Sequence, residues 1–439
     1  MSRFLFYFLL FVAVLPSTAQ TTYNVMDFGA LGDGHTDDAP AIQKALDRCS
    51  GEGGGRVLLP RNHEFISGPL ELKSNTELYI DVGAVLKANP DESIYHISAF
   101  GKNEGEGMLW LYSRNATNLS ICGKGTIHGN GIRFMGAELE DSYELKPVTT
   151  FDPRPHMLTL IGCKNVTIRD LTVCEGAYWT IHLVGCDDAV IDGIRLLNNL
   201  KIRNGDGIDI DHSRNVHISN CHITSGDDCI CLKNRREYAA YGSCHDIVVT
   251  NCTMASRSCA IKIGSENMDS IYNVMVSNCI ITNSNRGLGI QNRDEGTVTN
   301  VVFSDIIMDL RLWSDVWWGK AEPIYVTSYP RANANHKDAN WRFPEGQTEG
   351  RCGNVSKIYF NNITATAENG CFLGADQQGK VTDIHFNNVR VDIRRPEGIT
   401  QSQMDKRPCK GEGFVKVNLD ELKQMKVPLV TENANVTIE

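Results

Sequence analysis

The feature that most limits what this chain can become is a repeat. Segments NVTIRDLTV at Asn165, DAVIDGIRL at Asp188, NVHISNCHI at Asn215, DIVVTNCTM at Asp246, NVMVSNCII at Asn273, NVVFSDIIM at Asn300, KIYFNNITA at Lys357 and DIHFNNVRV at Asp383 follow one another at steps of 23, 27, 31, 27, 27, 57 and 26 residues. Within each, apolar residues alternate as in a half-buried strand, Asn or Asp marks the bends, and no long helical period intervenes. Units this short cannot bury their apolar faces alone, so they must stack. The expectation is an all-β parallel β-helix, a solenoid in which the 57-residue step spans about two turns.

That architecture gives many residues a structural role. Cys221, Cys252 and Cys279 share one repeat position with Leu171, Ile194, Ile306, Ile363 and Val389, which makes them a buried ladder of small apolar groups. The Asn-x-Ser/Thr triplets at Asn115, Asn165, Asn251, Asn362 and Asn435 fall mostly on bends and argue only weakly for glycosylation. Both solenoid ends need covers. Thr36 and Asp37 precede an N-terminal capping helix with apolar face Ala41, Ile42, Ala45 and Leu46, stopped by Gly51. The segment from about Gly411 is expected to close the far end. Residues 312–343 carry Trp313, Trp317, Trp318, Tyr325, Tyr329 and Trp341 in one long loop, a surface able to stack on sugars.

Residues 1–19, with Arg3, an apolar run and PSTA, read as a secretory signal; the run is shorter than the ~20 residues needed to span a bilayer. Residues 20–439 are then one domain, secreted or periplasmic, without membrane insertion after signal removal, and expected to act as a monomer. The net charge of −10 disfavours nucleic acid as a partner. Fifteen cysteines in an exported chain suggest disulfides, yet the number is odd. No Cys pair has zinc-ligand spacing.

The chemistry lies in IRNGDGIDIDHSRNVHISNCHITSGDDCICLKNRR, Ile202 to Arg236. Aligning the apolar pairs Ile181/Leu183, Ile208/Ile210, Ile230/Leu232, Ile261/Ile263 and Leu288/Ile290 turns them inward and the residues between them outward. Asp206, Asp227 and Asp228 then share a strand entrance on adjacent coils, about 5 Å apart, as a surface cluster. Crowded carboxylates repel, raising the pKa of one and leaving another ionised, the division glycoside hydrolysis uses. Spacing alone equally allows a calcium site or plain solenoid bends.

Asn204-Gly205-Asp206-Gly207 resembles the Asn-Thr-Asp-Gly motif, and Gly226-Asp227-Asp228-Cys229 the Gly-Asp-Asp motif, of the polygalacturonase family of glycoside hydrolases, family 28. The start YNVMDFGALGDGHTDDAPAIQKAL and IGSE at Ile263 agree, so the resemblance covers nearly the whole chain after residue 19. It implies a right-handed helix, no cofactor or metal, and inverting hydrolysis of a pectic oligosaccharide or polysaccharide. Carried over, Asp227 is the general acid, and Asp206 with Asp228 hold and deprotonate water.

Two departures bear on specificity. Ser258-Cys259-Ala260 stands where the family has Gly-His-Gly, and Gly289-Ile290-Gln291 where it has Arg-Ile-Lys, the cations that grip the leaving-side uronate. Lys233, Lys262, Arg286 and Arg293 lie near enough to compensate. The resulting expectation is an exo-acting α-galacturonidase cleaving galacturonate-α-rhamnose bonds of rhamnogalacturonan, with the leaving rhamnose near Tyr329 and loops 89–115 and 312–343 walling the groove. Alternatives are an exo-polygalacturonase, a non-catalytic carbohydrate-binding β-helix, and a calcium-dependent pectate-type lyase.

Overall fold

A computed structural model describes residues 20–100, 107–138, 145–147, 154–313, 318–331, 351–406 and 413–439; the signal segment lies outside them. Among these residues the strands stack in parallel coil after coil, apart from antiparallel pairs 135–138 with 145–147 and 401–405 with 414–418 and an isolated bridge between Ser98 and Met108. This is the expected right-handed parallel β-helix. One sheet is a pile of eleven strands from Leu70–Glu71 to Leu429–Glu432. No helix among the described residues is long and apolar enough to cross a membrane.

The repeat is legible atom by atom at its bends. The first residue of every aligned segment adopts left-handed backbone (φ 52–64°), and so does the residue five further on, from Asp170 and Gly193 to Asn388. Asn and Asp tolerate that conformation and hydrogen-bond locally. Here their side chains also bond between coils: Asn273 Nδ2 donates to Asp246 Oδ1 at 2.8 Å and Asn300 Nδ2 to Asn273 Oδ1 at 2.7 Å. Inside, Cys221, Cys252 and Cys279 join the one long apolar core, and the fourteen described cysteines are all free thiols.

Three expectations are corrected. Val298–Leu310 pairs directly with Val355–Ala367, so the 57-residue step is one coil with a large insertion, and Tyr325 sits in a regular strand, Ile324–Ser328. Trp317 and Trp341 lie outside the described residues. The capping helix runs Ala39–Gly51 with Asp38 at its N-cap; Asp37 Oδ1 accepts from the Ala39 amide at 2.9 Å, while Asp38 binds the Leu31 and Gly32 amides instead. At the other end, strands 429–432 and 434–438 simply extend the coils. The hairpin before them packs sideways, with Met404, Val417, Leu419 and Leu422 against Tyr325, Tyr329 and Phe372, because those aromatic rings project outward and need cover.

Candidate active site

Six strands position the site: β1 (Ile181–Val184), β2 (Ile208–Asp211), β3 (Ile230–Asn234), β4 (Cys259–Asn267), β5 (Arg286–Asn292) and β6 (Ile324–Ser328). Their outward side chains form a row in register: His182, Asp209, Cys231, Lys262, Gly289 and Tyr325. Asp206 sits just before β2, and Asp227 and Asp228 just before β3. The ladder continues through these entrances, with the Gly207 amide donating to Asp228 O at 2.8 Å and the Cys229 amide to Cys259 O at 3.0 Å. A Cβ at Gly207 would strike the Cys229 carbonyl oxygen, so glycine is what lets the two coils close up beside Asp206. Ser225 and Ser256 each donate a hydroxyl to Asp227 O at 2.6 Å.

The three carboxylates converge: each offers an oxygen within 4.8 Å of the others. They are not the surface cluster the sequence suggested: at 3%, 6% and 1% exposed they are buried. Burial first, then Asp228, pushes the Asp227 carboxyl up to about 7. Burial, Asp209 and Asp227 push Asp206 well above the usual carboxylate range, and its Oδ1 is buried without a partner. Asp228 differs, with Oδ1 accepting from Ser258 Oγ at 3.0 Å and Oδ2 from Lys262 Nζ at 2.7 Å. A buried, crowded carboxyl beside a paired one makes a proton donor and an anion.

The remaining sequence-derived residues divide. Lys233 Nζ lies 2.7 Å from Asp209 Oδ1 and 3.6 Å over the Trp179 ring. Cys259 is buried outside the main core, its thiol donating to Ile261 O at 3.0 Å, and burial pushes that thiol far up. Arg286 runs to Glu322, at 3.2 Å to each oxygen, and stacks 3.6 Å over Tyr325. Arg293 is buried with its guanidinium 5.5 Å over Trp318. Tyr329 packs in the apolar cluster under the hairpin, 2% exposed, away from the carboxylates and without an open face for a sugar.

The structure adds residues that the sequence reading passed over. Although burial opposes it, Lys233, Arg331, Arg235 and Lys262 pull the Glu266 carboxyl down to about 2, so IGSE carries the counter-ion of a cationic group. Upstream of the aspartates, Phe100 stands edge-on to Trp179 and Tyr178, Arg235 lies 3.9 Å over Phe100, and Tyr238 Oη donates to Ala99 O. The loop carrying Phe100 thereby walls that end; residues 101–106 of it lie outside the described set.

Residues 49–311 match glycosyl hydrolases family 28. The chain is similar to a Vitis vinifera protein called "Probable polygalacturonase", 31% identical over 263 residues, 55% of this chain and 51% of that one. It spans about half the length of the curated relatives it matches. Among solved structures it is similar to an exopolygalacturonase from Thermotoga maritima, with TM-score 0.67, 21% identity, and 92% of this chain and 95% of that one covered. It is also similar to a family 28 exopolygalacturonase from Yersinia enterocolitica, with TM-score 0.66, 19% identity, and 87% and 77% covered.

Proposed function

Because the chain belongs to glycosyl hydrolases family 28, we propose that it hydrolyses α-galacturonosyl bonds of pectic oligosaccharides by general acid and base catalysis, without a cofactor. The observation that carries this reading is the divided triad: Asp227, pushed up to about 7, beside Asp228, held by Lys262 and Ser258. Asp227 delivers a proton to the leaving oxygen. Asp228 takes one from the attacking water, which Asp206 Oδ1 helps hold.

The exo mode rests on the wall of Phe100, Tyr178 and Trp179, which stops the groove on the side opposite Gly289 and Gln291. A terminal galacturonate fits there, its carboxylate answered by Lys233, Arg235 and Arg331, which gather around Glu266. On the leaving side Gly289 has no side chain and Gln291 no charge, so a second uronate would be desolvated without a cation. A neutral sugar escapes that cost, and the α-galacturonosyl bond to a neutral sugar in pectin is galacturonate to rhamnose. The relatives' names favour the runner-up, an exo-polygalacturonase. Comparing kcat/KM on a galacturonate-α-rhamnose disaccharide and on digalacturonate decides between them: faster turnover of digalacturonate would overturn the rhamnose assignment, and oligomer ladders from a polymer would overturn the exo mode.

A further inference from the structure

Lys262 points outward from β4 between the triad and Gly289, where it could grip the substrate's carboxylate. Its geometry says otherwise. The ammonium is 2.7 Å from Asp228 Oδ2, in a pair whose side chains are 17% and 2% exposed, and Ser258 Oγ holds the other oxygen at 3.0 Å. Both Asp228 oxygens are therefore fixed from the side of β4, and the carboxylate cannot turn without giving up a charge-assisted bond. Breaking such a buried pair would leave an uncompensated charge.

We propose that Lys262 is a positioning residue for Asp228 and not a substrate ligand: it fixes the orientation of the carboxylate that takes the water's proton. This rests on the catalytic reading above. The surrounding charges agree. Lys262 faces Asp227, Asp228 and Cys231 from β3 and its entrance, and Cys259 and Glu266 on its own strand. Burial works to strip its proton; Asp228 and Asp227 overcome that and hold the ammonium above its usual range. Lys262 in turn draws the Asp227 carboxyl down, so the cation that holds Asp228 also acts on the proton donor.

The test is Lys262→Met and Lys262→Arg on the galacturonate-rhamnose disaccharide. Lys262→Met should lower kcat roughly a hundredfold, leave KM within about threefold, and move the alkaline limb of the pH profile, set by Asp227, up by about one unit; Lys262→Arg should restore the profile and most of the rate. A tenfold rise in KM with kcat and the alkaline limb unchanged would overturn the proposal and make Lys262 a substrate ligand. A thermal double-mutant cycle with Asp228→Asn reads the pair with no substrate present: strong non-additivity is expected, and additivity would refute the coupling. A wild type inactive on both disaccharides but non-additive in that cycle would count against the catalytic reading alone.

Discussion

A general acid that functions near neutrality should weaken the fold that holds it, and Asp227→Asn measures by how much. The Asp227 carboxyl sits at about 7 instead of 3.8, roughly 3 units, and at 1.36 kcal/mol each that is a ceiling of about 4 kcal/mol. Because the folded state binds this proton more tightly than the unfolded chain, the contribution is present in full below about pH 4 and is lost as pH rises through about 7. Asparagine has no proton to lose. With an unfolding entropy near 2.1 cal/mol/K per residue over roughly 400 residues, 4 kcal/mol corresponds to about 4–5 °C. The difference in melting temperature, variant minus wild type, should therefore climb by about that amount between pH 4 and pH 8 and then level off. Scanning calorimetry at matched ionic strength gives the curve. A difference that stays flat with pH would show that the Asp227 carboxyl ionises as an ordinary surface acid, and its assignment as proton donor would fail with it.

The same Asp227→Asn protein should lose roughly 10⁴-fold in kcat while still binding oligosaccharide by calorimetry, with chelator leaving the wild-type rate untouched; a chelator-sensitive product absorbing in the ultraviolet would mean a lyase. Wild-type kcat/KM should fall as pH rises through about 7, where Asp227 gives up its proton, and a rate still climbing at pH 8.5 contradicts that. The anomer released first should be β, as inversion requires. The triad oxygens lie closer together than the ~6.5–9.5 Å between carboxyls of two-carboxylate inverting enzymes, so an α anomer in the first NMR spectra would point to a covalent intermediate. On the solenoid wall, Asn220→Ala should destabilise by about 1–2 kcal/mol in urea titration, since Asn220 holds left-handed backbone and donates to Asp192 at 2.7 Å. Asn220→Gly should cost less, and equal losses would mean that conformation is not what asparagine supplies there.

What was legible in the sequence is what a period encodes. The aligned Asn and Asp positions are bends, Cys221, Cys252 and Cys279 are core, and Asp206, Asp227 and Asp228 meet, because stacking copies one residue's surroundings onto the next coil. The lateral wrapping was legible only as loop length, which marked 89–115 and 312–343 as walls; no repeat position dictates what they touch. Alternation said that the aspartates face outward but not that they end up 3%, 6% and 1% exposed, and burial is what pushes Asp227 up. The insertion between Asn300 and Lys357 looked like two turns from its length alone; only pairing shows that it leaves the wall without a new coil.

The substituted positions show best why residue-by-residue reading falls short. Taken singly, Cys259 for a histidine and Gly289 for an arginine look like two losses. In space they are one unit: a Cβ at Gly289 would lie 2.9 Å from Cys259 Sγ and 3.3 Å from Arg286 Cδ. Both distances are too short for ordinary packing, so a side chain cannot return at 289 while the thiol and the Arg286 stem stay where they are. Glu322 and Tyr325 hold the Arg286 head, which fixes that stem in turn. The proposed leaving side thus presents a bare backbone and a buried thiol, and the cation adjoining it, Lys262, is turned toward Asp228. On the proposed reading, the one cation of this row is spent on the triad and the Arg286 head on Glu322, which leaves a second uronate without a partner there and favours a neutral leaving sugar.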